Sequence, residues 1–254
     1  IYTDPNKVTD LLTRYYREQG YLDAKVDTPR SELDEATRTG RVVVPITEGP
    51  LYKVGNLAFT GNSIYETGML RREIPLQSGA VYKPDLRERS IEKLEELYQA
   101  KAYNDAEFSY TTEKKTAGGV VNLVFQINEN RQSIVREIVV TGNDRTSQNL
   151  IRTQVAMKPG DPLTLTKLAE SRRNLYNTGA FSVVYIERED VEVPDAPRNQ
   201  RPMRLLVKVH EVQPFRMRYG GFFDTERGPG VIADISNRNS LGSARVVGLR
   251  TRYD

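Results

Sequence analysis

Three patterns in the 254-residue sequence have the residue types and spacing for chemistry. Ser90-Ile91-Glu92-Lys93 has the Ser-x-x-Lys spacing of some acyl enzymes, but no Ser-Asp-Asn or Lys-Thr-Gly companion is present, and the segment reads as an amphipathic helix. Gly61 and Gly142 could open phosphate-cradling turns, yet neither sits in a Gly-x-x-x-x-Gly-Lys run. Glu48, Glu129 and Glu211 recur at the ends of alternating segments. Catalysis needs one geometry once, so a carboxylate copied three times is expected at hinges or salt bridges between modules.

Composition narrows the chemistry further. Cysteine is absent, which removes thiolate nucleophiles, disulfides and Cys-based zinc sites. His210 is the only histidine and lies in an alternating apolar run, as an ordinary strand residue would. With 37 Lys and Arg against 34 Asp and Glu, the net charge of +3 provides no single-sign field for nucleic acid. No run reaches the roughly 18 to 20 apolar residues of a spanning helix, and the chain opens at Ile1 without a signal sequence, as an internal or mature segment would. No catalytic residue, metal or cofactor is assigned, and an enzyme is not expected.

What positions these residues is a repeat. The apolar segment 53–59 before Thr60-Gly61-Asn62 matches the segment before Thr141-Gly142-Asn143. The phase holds onward: Leu70 with Ile151, Ile74 with Val155, Gly79 with Gly160, each 81 residues later. Leu97-Tyr98 then pairs with Leu175-Tyr176 at a spacing of 78, which implies three residues lost from a loop. A tyrosine five residues before an aromatic occurs three times, as Tyr16 to Tyr21, Tyr98 to Tyr103 and Tyr176 to Phe181, with Gly20, Ala102 and Ala180 just before the second ring. Each copy closes on an alternating strand, at 42–48, 120–129 and 203–211. A fixed period of this kind marks stacked modules.

Local signals specify the contents of a copy. Ser63-Ile64-Tyr65-Glu66 has the spacing of a capping box, and Asp85 to Glu88 after Pro84 reads the same way, so two helices are expected. Leu86, Ile91, Leu94, Leu97 and Tyr98 form one stripe of the second helix, repeated by Leu165, Leu168, Leu175 and Tyr176. In the N-terminal copy the matching helix opens at Asp4-Pro5 and carries Val8, Leu11, Leu12, Tyr15 and Tyr16, without the earlier strand and helix.

This order, with Gly-Asn after the first strand, a glycine between the helices and an aromatic after the second, resembles the polypeptide-transport-associated (POTRA) module over residues 1–212. From Phe215 the texture changes to alternating strands with Gly-rich turns, and Val247, Leu249 and Tyr253 alternate with Gly248, Arg250 and Arg252 as in a barrel strand. Arg238-Asn239-Ser240-Leu241-Gly242 looks like the Asn-x-x-Gly turn of early strands in the bacterial surface antigen barrel family. The resemblance implies an α+β fold of tandem βααββ POTRA modules followed by antiparallel β strands from the start of an outer-membrane barrel. The divisions are 1–50 as the C-terminal part of a module, 51–131 and 132–212 as complete modules, and 213–254 as the first barrel strands. Three strands cannot close a barrel, and an open sheet in lipid would leave edge groups unpaired at several kcal/mol each, so this stretch by itself is not expected to be a working pore.

The resemblance also implies a function. The modules would hang in the periplasm of a Gram-negative-type bacterium, beneath an outer-membrane barrel that assembles, inserts or exports polypeptides. Unfolded outer-membrane proteins or secreted polypeptides, periplasmic accessory proteins or lipoproteins, and the outer membrane itself would be the partners; nucleic acid would not. An edge strand can take up an unfolded chain through backbone hydrogen bonds that demand no sequence. By resemblance the second strand of each module is that edge, at 106–113 and 181–189, with Phe108, Tyr110, Val184 and Ile186 beside the added strand. An alternating strand turns one face to the core, so some of these four side chains can equally be core residues. Gly61, Asn62, Gly142, Asn143, Gly79 and Gly160 are read as turn residues. Loop 190–202, carrying Pro194, Pro197 and Pro202, is read as a mobile insertion next to the barrel. The alternatives are a two-partner secretion transporter, for which two modules would suffice, and a hydrolase built from scattered Ser, Asp and Glu, which requires one deep polar cleft.

Overall fold

A computed structural model describes residues 5–34, 39–226, 228–240 and 242–253. The chain divides into two compact units, Ile1–Tyr98 with Asp105–Asn130, and Gln99–Asn104 with Arg131–Asp254.

The first unit opens with helix α1 (Pro5–Glu18) and a hairpin broken in the middle. Its inner rungs pair β1 (Lys25–Val26) with β4 (Ile46–Thr47), and its outer rungs pair β2 (Arg30–Asp34) with β3 (Thr39–Val43). Pro29 and Pro45 stand at the break, and a residue with no N–H interrupts a ladder there. The expected cap Asp4 lies outside the described residues. The first full module follows: β5 (Lys53–Thr60), α2 (Thr67–Glu73), α3 (Pro84–Ala100), β6 (Glu107–Lys115) and β7 (Val120–Asn128). Its sheet runs β5-β7-β6, with β7 parallel to β5 and antiparallel to β6. The alternation predicted for this strand is present, since Val121, Leu123, Phe125 and Ile127 are all buried. Each such side chain contributes about 1.5 to 3 kcal/mol relative to exposure.

The second unit repeats the order as β8 (Gln132–Thr141), α4 (Gln148–Gln154), α5 (Leu165–Asn177), β9 (Phe181–Asp190) and β10 (Gln200–Glu211), in a sheet ordered β8-β10-β9. Its core gathers Met203, Leu205, Val207 and Val209 of the central strand over Ile151, Leu175 and Val184. A three-stranded meander follows, β11 (Phe215–Asp224), β12 (Gly228–Ser240) and β13 (Arg245–Tyr253). Its registers align Met217, Ile235 and Leu249 on one face and Arg218, Asp234 and Arg250 on the other. Asp234 accepts from Arg218 at 3.1 Å and from Arg250 at 2.9 Å, while the three apolar partners are exposed. The architecture is the α+β order expected from the sequence, with βααββ units before antiparallel strands.

Several local expectations are corrected. Helix α2 starts at Thr67 with Glu66 as its N-cap and no side-chain cap, so Ser63 caps nothing. Asp85 sits inside the first turn of α3, paired with Arg89 at 3.2 Å, and Pro84 opens that helix. In the second unit Ser147 and Thr164 do cap α4 and α5. The α5 stripe is incomplete, because Leu165 and Tyr176 are exposed. Loop 190–202 joins the ends of β9 and β10 opposite Glu211, about 30 Å along the strands at roughly 3.3 Å per residue. There it folds on itself through Val191 N–H to Pro202 O and Gln200 N–H to Pro197 O, and it meets the start of β8 through Gln132 N–H to Asn199 O.

The repeated aromatic signature has a structural reason. The carbonyls of Gly20, Ala102 and Ala180 accept from the N–H groups of Tyr52, Ser133 and Val212, at 2.8 to 2.9 Å. The residue before the second aromatic therefore fixes where the next stretch of chain departs.

Candidate functional site

Each three-stranded sheet has two edges, and the chain treats them differently. The outer edge of β5 is covered: Val54 N–H donates to Ala80 O and Gly79 N–H to Val54 O, both at 2.8 Å. Ser78 Oγ donates to Gly55 O at 2.6 Å, and Arg71 Nη2 to Leu57 O at 2.7 Å. The outer edge of β8 is covered at its start by Val135 N–H to Asp161 O and Gly160 N–H to Val135 O. Gly79 and Gly160, predicted as turn residues, thus donate to the first strand of their own modules.

The second strands β6 and β9 form the opposite edges, at the positions expected for them. Among the described residues no strand pairs with their outer sides, and an edge of this kind presents a row of unpaired N–H and C=O groups. The β6 edge is the more open one. On β9 the Val184 N–H donates to the Tyr176 hydroxyl at 3.2 Å.

The four side chains expected beside an added strand all point to the helix side. Phe108 is half-buried and meets the Tyr98 ring edge-on at 5.4 Å. Tyr110 lies under the Arg87 guanidinium at 4.5 Å and is 37% exposed. Val184 is 3% exposed within the core and Ile186 packs against that core, so neither offers a partner the exposed ring that Tyr110 does. Between β6 and α3 the structure brings together Tyr98, Phe108, Tyr110 and Arg87, whose buried Nε has no acceptor. Sequence reasoning passed over Tyr185, which is 62% exposed on the opposite face of β9. Its alternation with Val184 is the signal that would have found it.

The two faces away from the helices also differ. In the first full module amide and hydroxyl donors cross the sheet, Asn122 Nδ2 to Glu113 and Ser109 Oγ to Gln126, besides Asn128 Nδ2 to Glu107, with Lys115 on Glu113 at 3.6 Å along one strand. In the second they are ion pairs, with Arg204 on Glu137 at 2.7 Å and on Glu189 at 3.7 Å, and Lys208 on Glu187 at 2.7 Å.

The recurring glutamates do not link modules; they act within them. Glu129 accepts from the Ser63 N–H at 2.7 Å, the Ile64 N–H at 2.9 Å and the Tyr98 hydroxyl at 2.8 Å, and from the Ser63 hydroxyl. Burial works to raise its pKa, but these donors, led by the Ser63 hydroxyl, outweigh that and hold it below the usual carboxylate range. Glu211 accepts from the Thr146 N–H at 2.7 Å and the Arg145 N–H at 3.1 Å. Its pKa is also lowered: burial opposes, and the Thr146 hydroxyl and these two N–H groups prevail. In the N-terminal copy Glu48 bonds the Tyr16 hydroxyl, whose pKa is raised by burial and then by that carboxylate. Each glutamate closing a full module therefore holds the loop after its first strand.

That loop turns at Gly61 and Gly142, both at φ +81°, where a Cβ would lie 2.0 Å from Ile127 O and 2.1 Å from Val209 O. Asn62 and Asn143 brace the turns, through Nδ2 to Tyr65 O and to Thr146 O, each at 2.9 Å. Ser90, the serine with acyl-enzyme spacing, is buried and donates to Leu86 O at 2.6 Å while accepting from Leu76 N–H.

The POTRA family, described as surface antigen variable number repeat, matches residues 52–130 and 133–212, more than half of the chain. An outer membrane protein assembly factor BamA of Nitratidesulfovibrio vulgaris is 26% identical over 247 residues, 95% of this chain and 30% of that protein. A protein of the same name from Neorickettsia risticii is 27% identical over 188 residues, 72% of this chain and 24% of its own length. The chain thus spans about a quarter to a third of these relatives. Among solved structures, BamA from Haemophilus ducreyi lacking POTRA domains 1–3 superposes with a TM-score of 0.62 at 18% identity, covering 80% of this chain and 37% of that one. POTRA domains 3–5 of Haemophilus influenzae BamA give 0.50 at 16% identity, covering 81% and 80%. At those identities the likeness is one of fold.

Proposed function

The chain belongs to the POTRA family, and from that premise we propose that it is the periplasmic, polypeptide-receiving part of an outer-membrane protein assembly and insertion factor. In this reading β11–β13 are the first strands of its barrel, with the apolar face of Met217, Ile235 and Leu249 toward lipid and the charged face of Arg218, Asp234 and Arg250 toward the lumen. Unfolded outer-membrane polypeptides add as a further strand to β6, and more weakly to β9. Periplasmic lipoproteins or other accessory proteins are the remaining partners.

The observation that carries this reading is the asymmetry of the edges. The outer side of β5, and the start of that of β8, is occupied by the chain's own groups, whereas among the described residues no strand lies beside the outer side of β6. Each backbone bond to an added strand contributes about 0.5 to 1.5 kcal/mol net, so a handful gives weak binding that tolerates many sequences.

Amide hydrogen exchange, with and without an unfolded outer-membrane-protein peptide, tests the proposal at residues 106–113 and 181–189. Slowed exchange confined to these strands, stronger on the first, is the expected outcome. Unchanged rates there, or protection on other elements, would remove strand addition as the mode of binding.

A further inference from the structure

The loop after β8 holds more than its own carboxylate. Position 65 of the first full module is a tyrosine, 8% exposed, whose hydroxyl donates to Leu97 O at 2.7 Å and whose ring meets Tyr98 at 5.2 Å. Eighty-one residues later the position is Thr146, a much smaller side chain, and Tyr176, the counterpart of Tyr98, is exposed. Thr146 is nevertheless only 2% exposed. The β12–β13 turn covers it.

The contacts are specific on both sides. Asn239, itself buried, donates from Nδ2 to Thr146 Oγ1 at 2.8 Å, and its Oδ1 accepts from Ala244 N–H at 2.9 Å. The Ser147 N–H donates to Gly242 O at 3.1 Å. Gly242, at φ +67°, comes so near that a Cβ would lie 2.4 Å from Arg145 O. The β12–β13 register slips between Asn237 and Ser240, and a bulge of this kind re-aims a side chain out of the ladder. On its other side Thr146 is held by Glu211. A continuous set of bonds therefore runs from the last strand of the module, through Thr146, into the turn of the meander.

We infer that residues 145–147 form a socket for Asn239 and Gly242 of this same chain, locking the three-stranded sheet to the adjoining module so that the two move as one body. Replacement of the module's tyrosine by Thr146 opens the socket, and the bulge supplies its occupant. The device needs no ligand. It gives the last module a fixed hold on the start of the sheet, by which a load taken up on the module can be passed on.

Hydrogen exchange on the whole chain in detergent micelles tests this through two amides, Ser147 and Ala244, with Leu205 and Val207 as reporters of the module's core. Thr146→Tyr restores the residue that fills the other module and is expected to speed exchange at Ser147 and Ala244 at least tenfold, with the core reporters unchanged. Gly242→Ala lies outside the module and is expected to do the same, which keeps the test decisive if Thr146→Tyr perturbs the core. Exchange at Ser147 and Ala244 left within threefold of the parent chain by Gly242→Ala would overturn the inference, as would open-loop rates at both amides in the parent.

Discussion

The two complete modules share a backbone and differ in what fills it. Both turn on a glycine pressed against a carbonyl of the closing strand, and both pin the following loop with a glutamate from the end of that strand. Around this frame the first seals itself, with Tyr65 on Tyr98 and Tyr98 on Glu129. The second leaves its tyrosine outside, where it takes up a strand-edge N–H, and is sealed by the β12–β13 turn. A repeat can thus keep the groups that define its path and exchange those that define its neighbours.

The largest expected effect tests the shared frame. Gly61→Ala and Gly142→Ala each force a non-glycine residue to φ +81° with its Cβ inside a carbonyl contact. A loss of about 3 kcal/mol or more is expected from each, from strain and displacement together. Urea unfolding read by exchange at Leu123 for one module and Leu205 for the other checks it. A large loss in only one would show that the two turns are not equivalent.

The glutamates come next. Glu129→Gln and Glu211→Gln remove charge-assisted bonds to partly buried N–H groups, and a loss of about 1.5 to 3 kcal/mol is expected from each. Both carboxylates have folded pKa values held below that of an ordinary glutamate, about 4.5. A depressed pKa contributes stability that is present above about 4.5 and is lost as pH falls through the lower folded value. Unfolding midpoints of the parent chain should therefore decline below about pH 4.5, and each glutamine variant should flatten that decline in its own module. A parallel decline in parent and variants would assign the acid sensitivity to other groups.

Where the modules differ, the effects should split. Tyr98→Phe deletes a hydroxyl bonded to Glu129 and is expected to cost about 1 kcal/mol. Lys208→Ala removes an exposed ion pair from the other module's open face and should cost between about 0 and 1 kcal/mol, less at high salt. Equal costs would mean that the ion pairs of that face hold the sheet as firmly as the buried hydroxyl.

The period, the order of elements and the turn glycines were legible in the sequence because each is a local backbone demand met again 81 residues later. The Gly-Asn turns needed only their own neighbours to be recognised. The misread cap at Ser63 had the right spacing, but its partner is Glu129, 66 residues away, and no local pattern reports that. Val184 was misplaced beside an added strand for a related reason: alternation reveals two faces without saying which is buried. The Thr146 socket depends on Asn239, 93 residues on, so only the folded chain shows it.

The smallest effect on stability sharpens the comparison most. Tyr176→Phe removes a partner from the Val184 N–H on an exposed ring, and the stability change should stay within about 0.5 kcal/mol. Its effect on binding should be larger. If the Tyr176 hydroxyl is what closes the β9 edge, the variant frees the donor at the middle of that strand. Peptide-dependent protection at residues 181–189 should then rise toward that at 106–113. A β9 edge still unprotected in the variant would place the difference in the ion-paired face, Glu187 with Lys208 and Glu189 with Arg204, rather than in one hydroxyl. Charges along an edge strand oppose the approach of another strand, so adding Glu187→Gln to Tyr176→Phe would then be expected to restore protection.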